Sequence, residues 1–296
     1  MGRRFDTFRA RWFGCRGDLE RRAGRYDRAE RFVRDALALA ERSTPPDDRL
    51  LVTLLNGLGI VLKERGHLDD AARAYLRGLR IAQRRVGSAD PAIAALYHNL
   101  GGLEHARGRH ARAEPFARRA AAIRARALGE DHPDVARDLA ALAGILDGLG
   151  RHAEAEALHR RALGAFEGRG ARDRREVAYV LENLAACCHT MGRTAEAEPL
   201  ARRAVALKEA LLGARHPDVG RALSNLAVIQ KAEGRFAEAA ACSARALEIL
   251  DESLGPEHPA TVTCRLNAGS LPGSRATTGT RGRAIGAPLP RPSPFL

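Results

Sequence analysis

A glycine followed by arginine or histidine recurs at Gly24, Gly66, Gly108, Gly150, Gly192 and Gly234, each 42 residues from the next. Five residues after every one of them stands an alanine: Ala29, Ala71, Ala113, Ala155, Ala197 and Ala239. Twelve residues after comes a second small residue, Ala36, Gly78, Ala120, Ala162, Ala204 and Ala246. Eight before stand Leu58, Leu100, Leu142, Leu184 and Leu226, with Arg16 breaking the series. A period of this length means a stack of like units, each too small to bury its own apolar face and each covered by its neighbours. It leaves little room for a single globular core with a central sheet.

Within one period the pattern predicts two helices. Val177–Gly192 carries apolar residues at helical spacing and stops at a glycine, which adopts the left-handed conformation at little cost. Thr194–Gly213 follows at once, with Thr194 expected as its N-cap and Glu196 and Glu198 complementing the helix dipole. Pro115 and Pro199 fall early enough in second helices to be tolerated. The turn between the helices is short, so they must run antiparallel. The alanine rows mark where two backbones approach closely.

A nine-residue phrase punctuates the array. "LGEDHPDVA" (128–136) returns as "LGARHPDVG" (212–220) and "LGPEHPATV" (254–262). Gly129, Gly213 and Gly255 are placed to end a helix. Pro133, Pro217 and Pro259 are placed to open the next, where a missing N–H costs nothing. Asp134 and Asp218 then meet the positive end of that helix. Two His-Pro-Asp tripeptides resemble a J-domain signature, but they keep the register of the array and lack the basic helix that should precede them.

The glycine, alanine and proline rows, with the wording L-x-N-L-A, E-A-E-P-L, R-R-A and L-G-x-x-H-P, resemble tetratricopeptide repeats of the 42-residue kinesin-light-chain type found in bacterial proteins. The resemblance covers residues 10–271. It implies an all-α fold, a right-handed superhelical solenoid of antiparallel helix pairs. It also implies a non-enzymatic scaffold or adaptor that binds a protein or an extended peptide in a concave groove. The expected organisation is a basic N-terminal extension (1–10), six repeats (11–260), a partial seventh (261–271) and a disordered basic Pro/Gly-rich tail (272–296). The junction "GRGARDRRE" (168–176) has lost the phrase and is expected to be the least rigid. The abrupt change after residue 271 suggests the truncated or frame-shifted end of a longer array.

The first helix of each unit is expected to line the groove. Nine residues before the turn glycine stand Asn99, Asn183 and Asn225, and Asn267 in the incomplete copy; Cys15, Gly57 and Ala141 replace them elsewhere. A carboxamide can bond both the C=O and the N–H of an extended peptide without reading its sequence. The resemblance implies that this asparagine faces the groove; the other reading is an amide that braces neighbouring helices. Thirteen before the glycine come Arg137, Tyr179 and Arg221, candidates for specificity, the arginines favouring an acidic ligand. Each arginine has a nearby acid, Asp134 or Asp218, with which it could pair instead.

The formal net charge is +13, but +3 of it lies in residues 1–11 and +5 in residues 261–296, so the basicity sits mostly at the two ends. Nucleic-acid association is therefore the rival reading. Aromatics make up only 4% of the chain, which leaves little to stack bases. A third alternative is the sensor or assembly segment of a bacterial regulatory system. No catalytic group, cofactor motif or metal spacing stands outside the repeat register: Glu156 of the Glu156-x-x-His159 pair shares its row with Glu30, Glu114 and Glu198, and Cys187 falls in a core row. No apolar run approaches the length of a membrane span, and the chain is expected in the cytoplasm.

Overall fold

The computed structural model describes residues 2–43, 45–85 and 90–269. Those residues hold thirteen α-helices and no strand. They are α1 (Gly2–Arg22), α2 (Tyr26–Arg42), α3 (Asp48–Glu64), α4 (Leu68–Arg85), α5 (Pro91–Ala106), α6 (His110–Leu128), α7 (Pro133–Gly148), α8 (His152–Glu167), α9 (Arg174–Thr190), α10 (Thr194–Leu212), α11 (Pro217–Ala232), α12 (Phe236–Leu254) and α13 (Pro259–Gly269). Two compact units divide at Leu149/Gly150, the first with α1–α7 and the second with α8–α13. In the first, α1/α2, α3/α4 and α5/α6 pair as hairpins that stack in order, with α7 against α6. In the second, α9/α10 and α11/α12 pair, α8 lies against α9 and α13 against α12.

The recurring glycine works through its backbone. All six turn glycines have φ between +71° and +79°. The N–H of the residue that follows closes a long bond back onto the first helix, as Arg193 N–H does to Cys188 O at 2.9 Å and Arg235 N–H to Gln230 O at 2.9 Å. This is the Schellman arrangement, which satisfies carbonyls the helix would otherwise leave open. The second helices start differently from expectation. Arg193, not Thr194, holds the cap position of α10, and no side chain caps it. Arg25, Arg109, Arg151 and Arg235 repeat this in α2, α6, α8 and α12. Their side chains are thereby released toward nearby acids.

The punctuating phrase has the expected ends and one feature more. Gly129, Gly213 and Gly255 cap α6, α10 and α12 at φ +90°, +90° and +87°. Pro133 and Pro217 open α7 and α11. The histidine supplies the cap itself: Nδ1 of His132 accepts from Asp134 N–H, and Nδ1 of His216 from Asp218 N–H, both at 3.1 Å. His258 does the same for Ala260 N–H at 3.2 Å.

The small-residue rows are the contact lines between helices. All six alanines of the first row are fully buried. In the second row, a Cβ added at Gly78 would sit 3.2 Å from Leu96 Cδ2 and 3.4 Å from Leu55 Cβ. Leu100, Leu142, Leu184 and Leu226 are at most 3% exposed, each contributing roughly 2–3 kcal/mol by burial. Around them, one core gathers Leu184, Val205, Leu223, Leu226, Ile249 and Leu250 in the second unit. Another gathers Val52, Tyr75, Ile93, Leu96, Leu100 and Leu103 in the first.

The chain departs from the expected boundaries at several points. Residues 2–10, expected as an extension, are the opening turns of α1. The junction at 168–176 holds a 3₁₀ turn (Gly170–Asp173) inside the second unit, where Asp173 is 6% exposed and accepts from Arg169 at 2.8 Å. The partial seventh repeat forms the single helix α13. The expected tail, 272–296, lies outside the described residues.

Adjacent hairpins are also tied by rings of opposite charge. Glu156, 7% exposed, pairs with Arg160 on its own helix and with Arg193 beside the next turn glycine. Glu196 closes the ring at 3.3 Å from each arginine. Forty-two residues on, Glu198 pairs with Arg202 and with Arg235 (3.0 Å), and Glu238 closes that ring at 2.7 and 2.6 Å. In the first unit Glu30 pairs with Arg34 and Arg65. The Arg193 guanidinium holds the Glu156 carboxyl below its usual range. Both arginines stay partly in water, which limits the gain. Glu156→Gln should cost about 1 kcal/mol, read as a fall in melting temperature that shrinks when Arg193→Met is already present.

Candidate functional site

In the first unit, first helices α3, α5 and α7 carry the candidate face. Asn99 on α5 is half-buried, and its Nδ2 donates to Asn56 Oδ1 on α3 at 2.7 Å. Its Oδ1 accepts nothing among the described residues. Arg137 on α7 is exposed and pairs with Asp134 one turn earlier. Beside it Asp138 is 1% exposed; its Oδ1 takes His98 Nδ1 from α5 at 2.5 Å and Arg124 Nη1 from α6 at 2.8 Å. Along this face, Gly57 and Gly144 would each meet nothing within 4 Å if given a Cβ. Gly148 would meet the His110 ring at 2.8 Å, so that opening is filled.

In the second unit, α9 and α11 carry it. Asn183 Nδ2 donates to Tyr179 O, one turn back, at 3.1 Å. Asn225 Nδ2 donates to Glu182 Oε1 at 3.0 Å, and Lys208 Nζ from α10 holds Glu182 Oε2 at 2.5 Å. Asn225, Glu182 and Lys208 thus form one chain joining three helices. Tyr179 is half-buried, and burial pushes its phenol above the ordinary value. Arg221 pairs with Asp218.

Sequence reasoning missed the partners. Asn56 and Glu182 stand ten residues before their turn glycines, and each bonds the asparagine 43 residues further on. Arg124 and Lys208 share one row, sixteen after the glycine, and both reach inward to an acid. An offset of 43, one more than the period, is the signal that finds the first set.

The reactive-looking groups are accounted for by packing. Cys187 and Cys188 are fully buried, and burial lifts the Cys187 thiol to about 11, far from a thiolate nucleophile. Glu156, Cys188 and Glu196 lie close enough to share an ion, but Arg160 and Arg193 already neutralise both carboxylates. His159 is 1% exposed with neither ring nitrogen bonded among the described residues. No helix among the described residues is long and apolar enough to cross a membrane.

Stacked antiparallel hairpins with capped turns and a polar row along their first helices define a helical-repeat binding scaffold. A tetratricopeptide repeat family model matches residues 8–84, 92–168 and 176–250, and the chain belongs to that family. Comparison with curated proteins gives no match. Among solved structures it is similar to BtubC from P. vanneervenii, at 25% identity and TM-score 0.61, over 67% of this chain and 78% of that one. It is similar to a putative kinesin light chain from Podospora anserina with nearly identical repeats, at 21% identity and TM-score 0.58, over 70% and 97%. A Rap protein complexed with competence and sporulation factor matches at 17% identity and TM-score 0.65, over 91% and 71%.

Proposed function

We propose that the chain is a non-enzymatic scaffold or adaptor that binds an extended peptide or protein segment along its first-helix face. The observation that carries this is the state of Asn99 and Asn225. A neighbouring hairpin holds each carboxamide through one N–H, which orients it, and its Oδ1 and second N–H remain for a peptide backbone. Asn183 is the third clamp. Arg137, Tyr179 and Arg221 select among ligands, and an acidic residue competes with Asp134 or Asp218 for the arginine. The likeness to a Rap protein complexed with a factor supports a ligand on this kind of fold. The nucleic-acid alternative has less support: of the tandem arginines Arg118-Arg119, Arg160-Arg161 and Arg202-Arg203, the first of each is spent on a glutamate four residues back.

The test is selection of random dodecapeptides on the full chain. Affinity for recovered peptides should fall roughly tenfold or more in Asn183→Ala/Asn225→Ala, as expected for the loss of two backbone clamps, with helicity unchanged by circular dichroism. Equal affinity in the double variant rejects the clamp. Binding that collapses with salt yet survives the double variant assigns it to the basic charge instead.

A further inference from the structure

The row of clamping asparagines is interrupted in the fourth repeat, where Ala141 stands on α7. Beside it a gap lies among α5, α6 and α7, lined by His98, Gly102, His105, Ala117, Asp138, Ala141 and Ile145, with room for one water-sized group. The His105 ring is turned to His110, Nδ1 to Nδ1 at 3.0 Å. One turn before Ala141 on the same helix, Asp138 forms part of the wall. Its side chain is fully buried. Both bonds it receives fall on one oxygen, Oδ1, from His98 and from Arg124. The other oxygen, Oδ2, is buried and has no partner among the described residues. A buried carboxylate oxygen left unbonded costs on the order of 1–3 kcal/mol, so something that donates is favoured there.

The surroundings restrict what that donor is. The carboxylate charge is already matched by the Arg124 guanidinium at 2.8 Å, and Arg124 is itself 13% exposed. An ammonium entering the gap would place a second cation beside Arg124 without water to screen it. A second carboxylate would offer no proton. A carboxamide is larger than the space. A hydroxyl is water-sized, neutral and a donor.

We propose that this gap is a specificity subsite for a side-chain hydroxyl, a serine or threonine of the bound segment, whose O–H donates to Asp138 Oδ2. The subsite deepens the proposed peptide-binding function and rests on it for its biological use, but its chemistry is measurable alone. Where the third, fifth and sixth repeats hold an amide that serves any backbone, the fourth holds an acceptor that serves one kind of side chain.

The direct probe is methanol, titrated into the full chain while the Ala141 methyl and His98 ring resonances are followed. Saturable shifts are expected with methanol, and binding at least tenfold weaker with methylammonium. Ala141→Leu, which fills the gap, should weaken methanol binding by at least tenfold, as for a pocket that loses room for its guest. Non-saturable methanol shifts, or tighter binding of methylammonium, would overturn the subsite even if Ala141→Leu fails to fold. In the dodecapeptide selection, serine or threonine should be enriched at one fixed position by the wild type and lose that preference in Ala141→Leu. Peptides recovered without the preference would sink the subsite and leave the groove standing. Saturable methanol binding with no peptide recovered at all would retain the subsite and sink the groove.

Discussion

Ala197→Leu should destabilise the second unit by about 3 kcal/mol and lower its melting temperature by roughly 10 °C. Ala197 is fully buried and lies in the row where the second helix of a hairpin meets the first. It packs in the core with Leu184, Ala185, Cys188 and Ala201. Three extra carbons there must push α9 and α10 apart, because the neighbouring backbone has no slack to take them up. The separation would also strain Glu198, the adjacent residue, whose pairing with Arg235 ties this hairpin to the next. Ala195→Leu is the control. That alanine is on the same helix but exposed, and its substitution should move stability by no more than about 0.5 kcal/mol. Thermal unfolding followed by circular dichroism decides it, and equal melting temperatures for the two variants would refute the close-contact role of the row.

Stability should fall as the pH drops from about 6.5 to about 4, and His159 should account for about 3 kcal/mol of the fall. Burial depresses the His159 imidazole from its ordinary 6.5 to about 4. Above pH 6.5 the ring is neutral folded or unfolded, and its titration contributes nothing. Between the two values the unfolded chain binds a proton that the folded chain refuses, which favours unfolding by about 1.4 kcal/mol per pH unit. Below about 4 both states are protonated and the loss is complete. Glu20, Glu156 and Glu238 have carboxyls held below their usual range by arginines, so their contribution is lost at more acid pH. The windows therefore separate. Denaturant unfolding at pH 7 and pH 5 should show a drop in the wild type to which His159 contributes about 2 kcal/mol. The drop should shrink by that amount in His159→Leu, with His189, whose imidazole burial also depresses, supplying a remainder. An equal drop in both proteins would place the titration elsewhere.

The rows were legible because six copies average out local accidents. A single buried alanine says little, whereas Ala29, Ala71, Ala113, Ala155, Ala197 and Ala239 at one register position say that two helices touch there. The proline and glycine of the punctuating phrase were legible because their backbone preferences are strong and local. The histidine between them was not, because a ring nitrogen is outside the usual set of capping groups and its role shows only when the helix start is built. Thr194 misled for the converse reason: it is a good cap residue one position too late, where the Schellman turn had already fixed the start of α10. The polar face was half-legible. The position of Asn99 and Asn225 follows from the period, but their partners Asn56 and Glu182 do not, because neighbouring first helices meet one residue out of step. The Asp138 cluster was invisible, since it draws His98, Arg124 and Asp138 from three helices and no other of the six repeats carries an acid at the register of Asp138.

The reach of these contacts also bears on how the chain is made. Among the described residues, side-chain links between successive hairpins join residues no more than 43 apart, as in Asn56–Asn99 and Asn225–Glu182, with the charged rings a little shorter. At a translation speed of about 5–20 residues per second, the partner of any side chain in such a link emerges within roughly 2–9 seconds. Among the described residues, each hairpin is covered by one that is made directly before or after it. Contacts of such short span favour rapid folding that spreads from one hairpin to the next, so an apolar face meets its neighbour on the ribosome rather than a stranger in solution.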